Sequence, residues 1–529
     1  MTQEKQQWGT RLGVILAVAG SAVGLGNFLR FPGQAAANGG GAFMVPYFIA
    51  LLLLGIPIGW AEWTMGKYGG RKGFHSAPAI LGVIGKGSIA RYFGIIGVLI
   101  PLMVSFYYVL IESWCLLYFW EYATGSVGID VAQTIEQQTA RAGELFTQVA
   151  SDKSDGFEFN NTLWFWIATF AVNAFLLFRG LSKGIEAFCR AAMPIMVVCG
   201  ILLLVRTLTL GAPDPAHPEN NVLSGLSFMW EPNMDALMKA DTWLAAAGQI
   251  FFSLSVGFGV IVNYASYMRP KDDVVLSGLT ASATNEFFEV VLGGLITIPA
   301  AVVFLGTELV SQNAGSSFSL GFNTLPVVFA HMPMGNFFGA IFFLMLFLAA
   351  VTSSLSMLFP TMAFVEESLG VDRRVSTVMV VATSLVGSSF VLYFSDGLTA
   401  LDTIDFWVGT VMIFVLATVQ IICFGWVWGI EKGIAEASQG AQMQIPKVFR
   451  FIIKYVTPSY LIVVFVMFCR SSLPGRLDGI SASPVTQYTL GLIAVIIVGL
   501  LVMTTLGAKR WRALGLDLDG REPAPPENE

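Results

Sequence analysis

Apolar residues gather along the 529-residue chain in twelve runs of spanning length, near 12–37, 42–66, 92–122, 162–180, 191–211, 242–268, 274–306, 337–365, 375–395, 398–429, 450–470 and 485–508. A helix needs about 20 such residues to cross a bilayer, and the longer runs would cross it tilted. The pattern predicts an all-α polytopic membrane protein of twelve transmembrane helices. Most connections are short. The longer ones are 123–161, polar and mixed in charge, and 212–238, rich in Pro, Asn and Asp. The tail beyond Trp511 ends in DLDGREPAPPENE, acidic and proline-containing, and is expected to be disordered.

The first run breaks its own pattern. Leu12 to Leu29 carries no charge, yet it holds Gly20, Gly24 and Gly26, the polar Ser21 and Asn27, and then Arg30. Lipid cannot satisfy an opened backbone, and an arginine at that depth is costly. The sixth run repeats the feature: Val23-Gly24-Leu25-Gly26 in the first is echoed by Val256-Gly257-Phe258-Gly259, beside Ser253 and Ser255. Two glycine-interrupted spans five apart point to inverted repeats, spans 1–5 and 6–10, around a midplane site. Glycine pairs that let helices pack closely are the other explanation. An unwound turn would free carbonyls for a hard cation and, at the half-helix beginning near Gly26, amide groups for a carboxylate.

Composition removes other classes. The chain is 55% hydrophobic and 12% charged, with mean hydropathy +0.70; soluble domains carry about a quarter charged residues. The net charge of −6 comes with no dense basic patch, so nucleic acid is not a partner. Cys115, Cys189, Cys199, Cys423 and Cys469 sit in or beside apolar runs at irregular spacing, as small buried hydrophobes do. His75, His217 and His331 are scattered, which supports neither a metal site nor a proton relay. Lys5, Arg11 and the AVAGSA stretch could be taken for a signal peptide, but functional-looking polar residues run straight on. With the N-terminus inside, all but seven of the 29 Lys and Arg fall on the cytoplasmic side, the seven being Arg30, Arg141, Lys153, Arg206, Lys239, Arg470 and Arg476. That bias predicts both termini cytoplasmic in a multi-pass protein.

Two further runs carry polar cues. In span 8, Ala349, Thr352 and Ser353 stand at i, i+3 and i+4 and share a face. They could form an oxygen cluster, or the hydroxyls could simply cap their own helix. In span 7, Asn285 and Glu289 lie four apart, with Glu286 adjacent. Glu289 is about 22 Å along the helix from Val274 at the standard rise, and an intramembrane carboxylate is a functional candidate. An ion channel would be expected to repeat a filter loop, and a membrane enzyme would need a nucleophile–base pair or metal ligands. Neither pattern is present, so no enzyme is expected.

GSAVGLGNFLRFP, the NGGGAF that follows, ESW in span 3, GQIFFSLSVGFG in span 6 and IDFW in span 10 resemble the neurotransmitter:sodium symporters, with the prokaryotic leucine-transporting branch nearest. The resemblance implies a sodium-coupled symporter for a neutral, aliphatic amino acid in the plasma membrane of a prokaryote; aromatic amino acids are the alternative. It implies residues 1–11 as a cytoplasmic segment, 12–211 and 239–429 as the two repeats, 212–238 as an extracellular loop, 430–508 as spans 11–12 and 509–529 as a cytoplasmic tail. A homodimer is compatible with it.

The resemblance also implies roles. One sodium would take the Ala22 carbonyl, Asn27, Ser253, Asn285 and the substrate's carboxylate, so that each ligand completes the other's site. A second would take the carbonyls of Gly20, Val23 and Ala349 with Thr352 and Ser353. The substrate carboxylate would meet Leu25, Gly26 and Tyr108, and its ammonium the backbone around Ser21, Ala22 and Phe252. Val104, Tyr108, Phe252, Ser255, Phe258, Ser354 and Met357 would surround the side chain. Amine-carrying relatives have an aspartate where Gly24 stands, so here the substrate keeps its own carboxylate. Arg30 and Asp405 would form an outer gate. Lys5 and Glu367, with Trp8, Ser266 and Tyr267, would form an inner one, Lys–Glu lacking the planar fork of arginine. Glu289 would replace the chloride that relatives hold beside Tyr47, Gln249 and Ser253. Ser21, Ser253 and Met357 stand where the leucine-transporting branch has asparagine, threonine and isoleucine; methionine's adaptability would widen the pocket's choice.

Overall fold

The computed structural model describes residues 11–150, 161–213, 217–313 and 318–521. Among them every extended element is a helix, with one isolated bridge between Gly40 and Pro232. Ten helices are long and apolar enough to cross a membrane: Gly41–Arg71, Ser88–Thr124, Thr162–Arg179, Leu181–Leu208, Val274–Gln312, Gly335–Leu369, Arg373–Tyr393, Asp396–Ala437, Val448–Ser481 and Pro484–Ala513. They are spans 2–5 and 7–12. Span 1 is a bent pair, Ile15–Ala22 and Gly26–Ala37, angled by 44°. Span 6 is likewise two pieces, Ala240–Leu254 and Val260–Ala265, each too short to cross alone. The two broken helices are those the glycine pattern marks.

Each break has a local cause. In span 1 the opened backbone finds side-chain partners: Gly24 N–H donates to Asn27 Oδ1 at 2.8 Å and Leu25 N–H to the Tyr108 hydroxyl at 3.2 Å. The second half then begins with a π-helical turn, Gly26–Arg30. In span 6 the chain turns through left-handed backbone at Ser255, Gly257 and Gly259 (φ +53°, +71° and +89°). Gly259 also lies against span 3, where a Cβ would come within 2.1 Å of the Gly97 carbonyl. Glycine alone meets both demands.

Spans 3 and 8 make the most extensive helix pairing and form the centre of the bundle. Trp63, Trp114 and Tyr47 are fully buried within the bundle. Span 12 leaves Val495, Val498 and Val502 exposed along one face, as a lipid-facing helix does. Three expectations change. The polar 123–161 segment contains a helix, Ile135–Ala150, and the 212–238 loop contains two, Val222–Trp230 and Met234–Leu237, capped by Asn221 and Asn233. The tail is not disordered where it is described. Asp517 pairs with Lys72 at 3.1 Å, Asp519 with Arg91 at 2.9 Å, and Leu518 is buried; its acidic residues meet a lysine just after span 2 and an arginine in the first turn of span 3.

Candidate functional site

The break in span 1 faces two clusters of oxygen-bearing side chains. The first surrounds Glu289, fully buried on a π-helical turn of span 7, Phe287–Gly294. Its Oε1 accepts from Gln249 Nε2 at 2.6 Å. Its Oε2 accepts from the Ser253 hydroxyl, from Asn285 Nδ2 at 3.1 Å and from Asn27 Nδ2 at 3.4 Å. Asn27 also donates to Asn285 Oδ1 at 2.8 Å, and Asn285 to Ser253 Oγ at 2.7 Å. Spans 1, 6 and 7 thus meet through Asn27, Ser253 and Asn285, three of the residues expected around the first sodium. A buried carboxylate is tolerable when charge-assisted donors match it, and Glu289 has four. The Tyr47 hydroxyl donates to Glu286 Oε2 at 2.8 Å, one turn away.

The second cluster lies where span 8 meets the same break. The Ser353 hydroxyl is 3.1 Å from the Ala349 carbonyl, 3.2 Å from Ser21 and 3.4 Å from Val23. Thr352 Oγ1 donates to Ala349 at 2.9 Å. Gly20 packs on Thr352, a Cβ there falling 3.5 Å from the threonine Cβ. The donor set is oxygen throughout, neutral, and drawn from backbone and hydroxyls, which fits a hard monovalent cation. Helix capping and clustering are both present: the hydroxyls rest on their own helix and still reach across to span 1.

Between the clusters sits Gly24. A Cβ there would come within 2.7 Å of both Ser353 Oγ and the Tyr108 hydroxyl. Gly26 is as tightly held, its Cβ position 2.9 Å from the Phe252 ring. Val104, Tyr108, Phe258 and Met357 are buried in the same region, and the Ser255 hydroxyl reaches the Ser21 carbonyl at 3.5 Å. The Ser354 hydroxyl donates to Asn173 Oδ1 at 2.6 Å and lies 3.2 Å from the Val351 carbonyl of its own helix.

The two gates stand differently from the sequence expectation. Arg30 and Asp405 form no ion pair. The guanidinium lies over the Phe252 ring, 4.6 Å from its centroid, and donates to the Gly248 carbonyl at 3.3 Å. Asp405 accepts from the Tyr107 hydroxyl at 2.8 Å. At the other end, Lys5 and Trp8 lie outside the described residues. Glu367 accepts from the backbone N–H groups of His75 and Ser76, at 3.3 and 2.8 Å. The His75 ring stacks on Tyr267 at 4.3 Å between centroids, 9° from parallel, with Nδ1 2.9 Å from Ser266 Oγ. His75, dismissed from the sequence as scattered, therefore joins the residues expected at the inner gate.

Sequence reasoning also missed Asn173 and Gln420. Asn173 links Glu112 to Ser354, and Gln420 Nε2 donates to the buried Glu62 at 2.8 Å. The available signal was a carboxamide in each apolar run and a glutamate within another.

Residues 5–512 match the family described as the sodium:neurotransmitter symporter family. A sodium-dependent transporter of Methanocaldococcus jannaschii is 28% identical over 512 residues, covering 96% of this chain and 99% of the relative. One from Bacillus subtilis is 32% identical over 358 residues, covering 67% and 71%. The sodium-dependent nutrient amino acid transporter 1 of Drosophila melanogaster is 27% identical over 514 residues, covering 88% and 77%. Among solved structures, MhsT in complex with L-phenylalanine superposes with a TM-score of 0.74 at 25% identity, covering 87% of this chain and 99% of that one. Kinship in sequence over nearly the whole length, on a shared helical fold, has one meaning: the chain belongs to the sodium:neurotransmitter symporter family.

Proposed function

We propose that the protein imports a neutral amino acid with an apolar side chain, coupled to two sodium ions and independent of chloride. Membership of the family makes it a sodium-dependent transporter and not an enzyme; the substrate, the ion count and the chloride independence are the present reading. The observation that carries it is Gly24. A Cβ at this position would stand 2.7 Å from both the Tyr108 hydroxyl and Ser353 Oγ, and glycine places no carboxylate there to stand in for one the substrate lacks. The substrate must bring its own, beside the Tyr108 hydroxyl and the start of the second half of span 1.

That carboxylate would complete a site with Ala22, Asn27, Ser253 and Asn285. Gly20, Val23, Ala349, Thr352 and Ser353 would hold the second ion. Glu289 supplies from the protein the negative charge that chloride brings in relatives. Arg30 and Asp405 would close over Tyr108 and Phe252, and Glu367, Ser266 and Tyr267 would close the cytoplasmic side, in alternation. The Lys and Arg distribution supports cytoplasmic termini in a plasma membrane. The exposed apolar faces suit lipid, and each chain carries a whole site, so a homodimer would not need to share one.

A second reading, an aromatic substrate, is favoured by the phenylalanine bound to MhsT and by an adaptable methionine, Met357, among the buried residues of the pocket. Uptake of [³H]leucine into proteoliposomes tests both, with an inward sodium gradient against potassium on both sides, and with gluconate replacing chloride. Uptake that needs sodium and not chloride supports the proposal. Sodium-driven uptake of phenylalanine or tryptophan but not leucine favours the second reading. No sodium-driven uptake of any neutral amino acid overturns both.

A further inference from the structure

We infer that Asn173 of span 4, braced by Glu112 of span 3, sets the side-chain selectivity of the pocket by holding the Ser354 hydroxyl out of it. The inference rests on the proposed pocket, in which Ser354 borders the substrate's side chain. Ser354 Oγ donates to Asn173 Oδ1 at 2.6 Å, and Asn173 Nδ2 donates to Glu112 Oε2, also at 2.6 Å. The second amide hydrogen has its own acceptor, the Thr169 carbonyl at 3.1 Å. Glu112, Asn173 and Ser354 are 0%, 2% and 0% exposed, so water does not compete for these bonds.

The chain of bonds has a direction. Turning the amide over would set its oxygen against the Thr169 carbonyl, bringing two acceptors face to face. The Thr169 carbonyl and Glu112 Oε2 together hold the amide, and the shorter of the hydroxyl's two bonds runs to the amide oxygen, the Val351 carbonyl of its own helix lying at 3.2 Å. Val104, Tyr108 and Glu112 are four residues apart on span 3 and share a face. The first two border the proposed pocket, and Glu112 stands one turn beyond. Ser354 lies one turn from Met357 on span 8. The network begins where the pocket ends.

An unpartnered hydroxyl in an apolar pocket would penalise an aliphatic side chain that covers it and reward one that could bond to it. Committed to Asn173, Ser354 counts as an apolar residue toward the substrate. Asn173 and Glu112 are then positioning residues for specificity. The substrate class this implies excludes serine and threonine in favour of aliphatic or aromatic amino acids.

Valine and threonine, alike in shape and different in one hydroxyl, are the probes. Each displaces [³H]leucine from the purified full-length protein at saturating sodium, and the ratio of their affinities is read. We expect Asn173→Leu to shift the ratio toward threonine by about fivefold, roughly what one net hydrogen bond is worth, and Glu112→Leu to shift it the same way but less, because Thr169 still holds the amide. Glu112→Gln, which keeps an oxygen for Asn173, should hold the wild-type ratio. Ser354→Ala should leave it within about twofold, because the deleted hydroxyl was already engaged elsewhere. A role in stability alone would weaken both ligands together and leave the ratio fixed. A shift away from threonine in Ser354→Ala, or an unmoved ratio in both leucine variants, overturns the inference. Ser354→Ala is a small change and keeps the test available where a leucine variant does not fold. Ser354→Leu separates the two readings: it should exclude leucine while still binding alanine, and wild-type leucine affinity there means that the pocket assignment itself is wrong.

Discussion

Replacing Gly24 by alanine adds one methyl group at the most crowded point of the site. The new Cβ would stand 2.7 Å from the Tyr108 hydroxyl and 2.7 Å from Ser353 Oγ. Ordinary carbon–oxygen contacts are more than half an ångström longer, so at least one neighbour must move. If Tyr108 moves, Leu25 N–H loses its bond, and the proposed partner of the substrate carboxylate is displaced. If Ser353 moves, the gathering of the Ser21, Val23 and Ala349 carbonyls is lost. Forcing one carbon into a packed interior costs about 1–3 kcal/mol, and at 1.4 kcal/mol per tenfold this is about a 5- to 150-fold loss of affinity. Equilibrium binding of radiolabelled substrate to purified protein reads it, titrating substrate at saturating sodium and then sodium at fixed substrate. A loss confined to the first titration means that Tyr108 yielded; a raised sodium half-saturation means that Ser353 did. Wild-type values in both would refute the claim that Gly24 is kept small by its neighbours, and with it the argument that the substrate must supply its own carboxylate.

Glu289→Ser removes the acceptor shared by Gln249, Asn285 and Asn27. Sodium-driven uptake should fall at least about tenfold in gluconate, the loss of one charge-assisted bond, and chloride should restore most of it; uptake equal in both anions would refute the role. Ser353→Ala should raise the sodium half-saturation about tenfold, within the range for a hydrogen bond or ligand oxygen lost, and leave substrate affinity at saturating sodium near wild type; the reverse pattern would place Ser353 with the substrate. His75→Ala removes a ring stack and a bond to Ser266, together about 1–3 kcal/mol. Amide exchange over Val260–Ala265 should quicken, while His75→Phe, which keeps the stack, should fall between; unchanged protection in the alanine variant would refute a holding role for His75.

What the sequence determined is what local chemistry can encode. Twelve apolar runs fix how often the chain crosses a bilayer, because a spanning helix must bond its own backbone and show apolar surface. Gly257 and Gly259 mark the break in span 6, since few residues other than glycine follow left-handed backbone without strain, and Gly24 marks that in span 1, where Tyr108 and Ser353 crowd the position of a Cβ. Ala349, Thr352 and Ser353 share a face by helical spacing alone, and that face does meet span 1. What the sequence did not determine is partner choice. Asn27, Ser253, Asn285 and Glu289 come from three spans, and only packing decides that the carboxylate takes Ser253 and Gln249 while Tyr47 goes to Glu286. A hydrogen bond between spans depends on rotation and depth to within an ångström, which no periodicity carries. The same limit explains Arg30, laid on Phe252 and not paired with Asp405, and the acidic tail that docks because Lys72 and Arg91 happen to face it. Composition can mark a residue as polar in an apolar run. Which neighbour satisfies it is settled only when the helices assemble, because the cost of a buried polar group is met by whatever donor or acceptor the packed bundle brings within reach.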